Sequence, residues 1–229
     1  MTFTLAARCP ETGQFGIVIS SSSPAVAARC AHARAGVGAV ATQNVTDPAL
    51  GPRLLDLLDQ GHSAQAALAG VTAATPDIGW RQLLVVDRAG GTAVFTGDRA
   101  LGVPGQAQGN GVVAGGNLLA GPGVPAAMIA AFMAATGPFG DRLLAGLTGG
   151  LAAGGEAGPV HSAGMKIVDR LSWPLVDLRV DWAETDPIAQ LHKAWQVYGP
   201  QAEDYVRRAK SPGTAPGYAV PGDPRRVEK

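Results

Sequence analysis

The sequence predicts a layered α+β domain, and three observations carry that reading. Strand-like segments cluster in twos and threes, helix-like segments come in pairs between the clusters, and single helices do not alternate with strands. The coarse order is ββ(α)β, αα, ββ, β, αα, ββ, α, which suits helix layers packed on antiparallel sheets and not a doubly wound parallel sheet. At 229 residues the chain is long enough for one large core. Its 32 Gly and 17 Pro are about a fifth of the chain, yet 46% hydrophobic content in periodic runs argues against disorder.

The elements follow in order. Thr2 to Ala7 reads as a first strand, Pro10 to Gly13 as a β-turn, and Phe15 to Ser20 as a second strand with Phe15, Ile17 and Ile19 on one face. Ser21-Ser22-Ser23-Pro24 opens a short Ala-rich helix ending near His32, and Gly36 to Thr42 is a buried strand of small residues. Asp47-Pro48 starts a helix that carries Leu54, Leu55, Leu57 and Leu58 and ends at Gly61. Ser63 caps the next helix. Arg81 to Val86 and Thr92 to Thr96 form a hairpin, and Gly102 to Gly109 is a Gly/Gln-rich loop before a strand from Gly111 to Ala114. Gly115-Gly116-Asn117 interrupts the pattern as a strand-to-helix break. Helices at about Pro125 to Ala135 and Gly140 to Ala153 precede strands at Ala163 to Val168 and Val176 to Val180. Asp186-Pro187 starts a last core helix through Tyr198. The domain therefore spans 1–198, and 199–229 is a Pro-rich tail, partly helical or mobile, whose end is dispensable for the core.

Composition excludes several functions. Eighteen basic residues balance eighteen acidic ones, which disfavours nucleic acid and anionic membrane surfaces as partners. No run reaches the length of a membrane span, and the N-terminus lacks the basic region of a signal peptide. Cys9 and Cys30 make no disulfide framework, so the chain reads as cytoplasmic with two free thiols. His32, His62, His161 and His192 lack metal-ligand spacing, the Gly-rich stretches lack a P-loop Lys-Ser/Thr, and no cofactor is expected. Low charge and few aromatics suggest apolar surface hidden in a homodimer or larger homo-oligomer.

What remains is a polar constellation at strand ends: Thr2 directly after a removable Met1, Ser21, Arg34, Thr42-Gln43-Asn44 and Gly116-Asn117. Each also has a plain structural reading: Thr2 as an edge-strand residue, Arg34 solvated, Gln43 and Asn44 as turn formers, Asn117 as a helix cap. Thr4, Ser20 to Ser23 and Thr42 are competing hydroxyls.

The runs Ser21 to Ala31 and Arg34 to Gln43, with Gly51, Leu57 to Gly61, Gly116-Asn117-Leu118-Leu119 and Val176 to Asp181, resemble the bacterial family catalogued as domain of unknown function 1028. The resemblance covers about residues 1–198 and implies a likeness to the N-terminal-nucleophile (Ntn) hydrolases. These are four-layer αββα sandwiches of two stacked antiparallel sheets. Family members often continue the second acidic motif as Asp-Asp-His, whereas here Asp181 is followed by Trp182-Ala183-Glu184. The resemblance supplies fold and candidate chemistry but no substrate, and the leading expectation is a hydrolase acting on a C–N bond (amide, carbamoyl or imine) of a small molecule. Thr2 would be nucleophile, Gly116 and Asn117 would serve the oxyanion, and Arg34, Thr42, Gln43, Asn44 and Ser21 would hold substrate. The alternatives are a non-catalytic small-molecule binder on the same fold and an oligomeric scaffold that uses the tail.

Overall fold

The computed structural model describes residues 2–221 and 223. One sheet has six strands: β1 (Thr2–Arg8), β2 (Phe15–Ser21), β7 (Gly105–Gly109), β8 (Val112–Asn117), β9 (Ser162–Val168) and β10 (Val176–Val180). Their order across the sheet is β10-β9-β2-β1-β8-β7. The other has four strands in the order β3-β4-β5-β6: β3 (Ala31–Arg34), β4 (Gly38–Asn44), β5 (Arg81–Asp87) and β6 (Thr92–Thr96). Every paired neighbour is antiparallel.

Period-two alternation sorts the strand side chains into layers. Phe3, Leu5 and Ala7 of β1 face α4 (Val124–Ala134), α5 (Phe139–Ala152) and α6 (Pro187–Tyr198), in a core with Met128, Leu143 and Leu191. Leu83 and Val85 of β5 face α2 (Leu50–Asp59) and α3 (Ala64–Ala73) on the far side. Between the sheets lie Ala6, Ile17, Ala39, Ala41, Leu84 and Val86. The molecule is thus an αββα sandwich, the architecture that the resemblance implies.

Several boundaries differ from the sequence reading, each for a local reason. The helix expected to reach His32 is only α1 (Val26–Cys30). Residues 31–34 alternate instead: Ala31 and Ala33 turn towards the sheet interior, and the segment pairs with β4 as an edge hairpin. β4 therefore runs from Gly38 to Asn44 rather than from Gly36. Asp47 accepts from the N–H of Ala49 just ahead of α2, which begins at Leu50. Ser63 caps α3 as expected, its side chain accepting from Ala66 N.

The Gly/Gln-rich loop contains an edge strand, β7. It offers no large apolar side chain, and its glutamines bridge the sheets instead: Gln106 Oε1 accepts from Thr96 Oγ1 at 2.8 Å and Gln108 Oε1 from Thr92 Oγ1 at 3.1 Å. The core also continues past Tyr198, because Ala202 and Val206 of α7 (Ala202–Lys210) join the six-stranded sheet's helix-side core. Arg208 of α7 donates to the carbonyls of Pro216 and Gly217 and stacks on Tyr218, which ties residues 216–218 back onto that helix; the tail reading at 222 and 224–229 lies outside the described residues.

Candidate active site

One end of the inter-sheet layer is polar. On β1 the inward positions are Thr2, Thr4 and Ala6, so the layer changes from apolar to hydroxyl as the strand approaches its start. The inward sequence on β8 is Val113, Gly115, Asn117, and on β5 it runs from Val86 and Leu84 to Gln82. β4 goes from Ala39 and Ala41 to Gln43. Four strands from two sheets thus bring polar side chains to one place, all of them buried.

Hydrogen bonds join this cluster. Thr4 Oγ1 donates to Gln43 Oε1 at 2.6 Å, and Gln43 Nε2 donates to Gln82 Oε1 at 2.7 Å. Gln82 Nε2 lies 2.9 Å from Thr96 Oγ1 and 3.0 Å from the carbonyl of Gly116. Asn117 Nδ2 approaches Gln82 Oε1 at 3.4 Å. This engages one of its two N–H groups, while Asn117 Oδ1 is buried with no partner among the described residues. Thr2 is the register partner of Asn117 across β1 and β8. Its hydroxyl donates to Ser21 Oγ at 3.3 Å, and Ser21 Oγ lies 2.8 Å from Ser23 Oγ.

Glu156 stands next to this group. It bridges Leu119, two residues past Asn117, and both its carboxyl oxygens accept from Ser22 N, at 3.1 and 3.2 Å. Burial raises its carboxyl from an ordinary 4.5 to about 7, while the positive amino terminus, the Ser22 donor and His161 pull the other way.

The sequence-derived candidates divide. Thr2, Ser21, Gln43, Gly116 and Asn117 come together. Asn117 is the last residue of β8 and caps no helix; Gly123 precedes α4. Gly116 serves packing: a Cβ there would meet Leu119 Cδ2 at 2.6 Å and the Thr2 carbonyl at 3.0 Å. The segment Gly115-Gly116-Asn117 therefore continues the strand, because missing side chains make room for neighbours without ending the ladder.

The other three are engaged elsewhere. Thr42 points to the helix face of β4, its hydroxyl within 3.3 Å of Thr46 Oγ1 and 3.2 Å of the Asp47 carbonyl. Asn44 has φ 74° and brackets two loops, donating to Trp80 O and accepting from Leu101 N. Arg34 pairs with Asp56 and Asp59 of α2. It lies opposite Gly38 in the β3–β4 register, five residues from Gln43, about 17 Å along the strand. Sequence reasoning missed Gln82 and Glu156 and left Thr4 as one hydroxyl among several. A polar Gln at the inward position just ahead of the apolar run 83–86 was the available signal for Gln82; nothing in the sequence marks Glu156.

Residues 2–191 match the model of a family of unknown function, DUF1028. The chain belongs to the DUF1028 family. Among solved structures, this DUF1028 chain is similar to a protein of the same family from Silicibacter pomeroyi: 29% identity, 90% of this chain and 94% of the other covered, TM-score 0.84. More distant fits are eukaryotic HslV from Trypanosoma brucei (11% identity, 72% and 98% covered, TM-score 0.43) and an Anbu mutant from Hyphomicrobium sp. strain MC1 (13% identity, 89% and 96% covered, TM-score 0.40). Fits at that level have no bearing on the site. A comparison with curated proteins finds no match. Among the described residues no helix is long and apolar enough to cross a membrane, and no group of three or more His, Cys, Asp or Glu is placed to hold a metal ion.

Proposed function

We propose that this protein is an Ntn-type hydrolase that cleaves a C–N bond (amide, carbamoyl or imine) of a small molecule, with Thr2 as nucleophile once Met1 is removed. The observation that carries this reading is the position of Thr2. It heads the central strand β1, its hydroxyl faces the inter-sheet layer beside Ser21, and Asn117 is its register partner.

The steps follow from ordinary acyl-transfer chemistry. The freed α-amine, with a pKa of about 7.7–8.0, is partly neutral near pH 7 and accepts the Thr2 hydroxyl proton. For an amide or carbamoyl substrate, Oγ1 then bonds to the carbonyl carbon and the C=O π pair moves onto oxygen. The unengaged N–H of Asn117 donates to that oxyanion. The α-ammonium returns its proton to the leaving nitrogen as the C–N bond breaks, and water hydrolyses the Thr2 ester. Ser21 and Ser23 orient the Thr2 hydroxyl. Gln43 and Gln82, with their amide atoms already engaged, hold the floor of the site and do not contact substrate in this scheme. Arg34, Thr42 and Asn44 are left out of the substrate set because their polar groups are committed elsewhere.

Two measurements test the reading. Intact mass of active protein should show Met1 absent, and Thr2→Ala should abolish ammonia release in a screen of small amides, ureido acids and imines. Retained Met1 in active protein, or full activity of Thr2→Ala, rejects it. A homo-oligomer belongs to the same proposal: Met133, Trp173, Trp182 and Val197 are exposed apolar side chains that subunit contacts would cover. A monomer mass by light scattering at micromolar concentration would count against it.

A further inference from the structure

Between the end of α5, residues 154–160 and the first turns of α6 lies a cavity of about 740 Å3, a size ordinary for small-molecule sites. Leu151, Pro159, Val160, Pro187 and Ile188 make its walls apolar. Its ionisable lining is Glu156, Glu184, Asp186, His192 and Lys193. Burial lowers the His192 pKa, which favours the neutral ring, so three carboxyls face one lysine.

Glu156 differs from the other charged groups. It lines the cavity yet is only 5% exposed, whereas Glu184, Asp186 and Lys193 lie at the surface. Its two oxygens share a single donor, Ser22 N, although a carboxylate offers about four acceptor positions. Among the described residues it makes no ion pair, and the charged groups that act on it from outside the cavity lining are the amino terminus and His161. A buried carboxylate supplied with one N–H is favoured by a further donor carrying positive charge.

We propose that this cavity binds a small organic cation, a primary ammonium on an apolar body, with the nitrogen on the Glu156 carboxylate and the body against Leu151, Pro159 and Ile188. The raised Glu156 pKa agrees with this, since a cation seated there would displace a proton. The inference goes beyond the hydrolase reading and stands without it, because binding needs no turnover and no free Thr2.

The test is calorimetric titration of the full chain with benzylammonium, benzyl alcohol and benzoate. Wild type and Thr2→Ala should both bind benzylammonium saturably, and benzyl alcohol and benzoate at least about tenfold more weakly, the factor expected for losing a charged hydrogen bond. Glu156→Gln should weaken benzylammonium by a similar factor, and Leu151→Trp should weaken it by filling the cavity. In wild type, affinity should fall about tenfold or more between about pH 8 and pH 5.5 as the carboxyl protonates. Absence of saturable heat up to about 50 mM would overturn the proposal, given the affinity that so few atoms can supply. Equal binding of the alcohol, undiminished binding by Glu156→Gln, or unchanged binding by Leu151→Trp would overturn it too. Turnover loss in Thr2→Ala with binding retained separates this site from the hydrolytic reading.

Discussion

Replacing Glu156 with Gln tests how the fold handles a buried carboxyl. In the folded protein burial holds this group near 7, against an ordinary 4.5. Between those values the folded state binds more protons than the unfolded chain, so stability falls as pH rises through the window. The full shift, at about 1.4 kcal/mol per pKa unit, gives a loss of about 2.5 kcal/mol between pH 5 and pH 8. Glu156 borders a cavity that admits water, and screening there reduces the figure to about 1–2 kcal/mol. Gln keeps the shape and an oxygen to accept from Ser22 N, and it does not titrate. Urea unfolding of wild type and Glu156→Gln at about pH 5 and pH 8 provides the assay, because the difference between the proteins cancels the titrating groups that do not interact with Glu156. Glu156→Gln should gain about 1–2 kcal/mol on wild type as pH rises from 5 to 8. A constant difference across pH would refute the reasoning, and a growing advantage for wild type would show that the carboxylate is stabilised in the fold.

Asn117→Ala should lower turnover by about 10²–10³-fold if its N–H serves the oxyanion, while folding is retained; unchanged turnover would assign Asn117 to structure alone. Gln82→Ala removes the residue that joins Gln43, Thr96 and the Gly116 carbonyl, so urea unfolding should show a loss of about 2–4 kcal/mol, and a loss under 1 would mean that water replaces it. Gly116→Ala forces a Cβ against Leu119 and the Thr2 carbonyl, and a destabilisation of about 1–3 kcal/mol should accompany reduced turnover as β1 shifts. Arg34→Ala should leave turnover unchanged, since its partners are Asp56 and Asp59 on the exposed face of α2; a strong KM effect would return it to the substrate set.

Much of the element order was legible in the sequence because local signals carry it. Pro at the first turn and the apolar periodicity of α6, the Ser63 cap, the alternation in β2 and the short apolar run of β5 are short-range patterns, and the structure places those elements within a residue or two. The polar end of the sandwich was half legible: Thr2, Ser21, Gln43 and Asn117 stood out as polar residues at strand ends. Which of them meet depends on register and face. Thr42 and Gln43 are neighbours in sequence, yet the period of two sends one to the helix layer and the other between the sheets. Arg34 and Gln43 flank one run, but the hairpin puts them at opposite ends of β4. β7 escaped notice because its stabilisation comes from glutamine bonds to another sheet, which leave no apolar period. Glu156 gains its character only from long-range burial beside Ser22, 134 residues away in sequence. Local propensity thus determined the segments, whereas the pairing of distant strands decided the site, because proximity and desolvation exist only once the sheets have stacked.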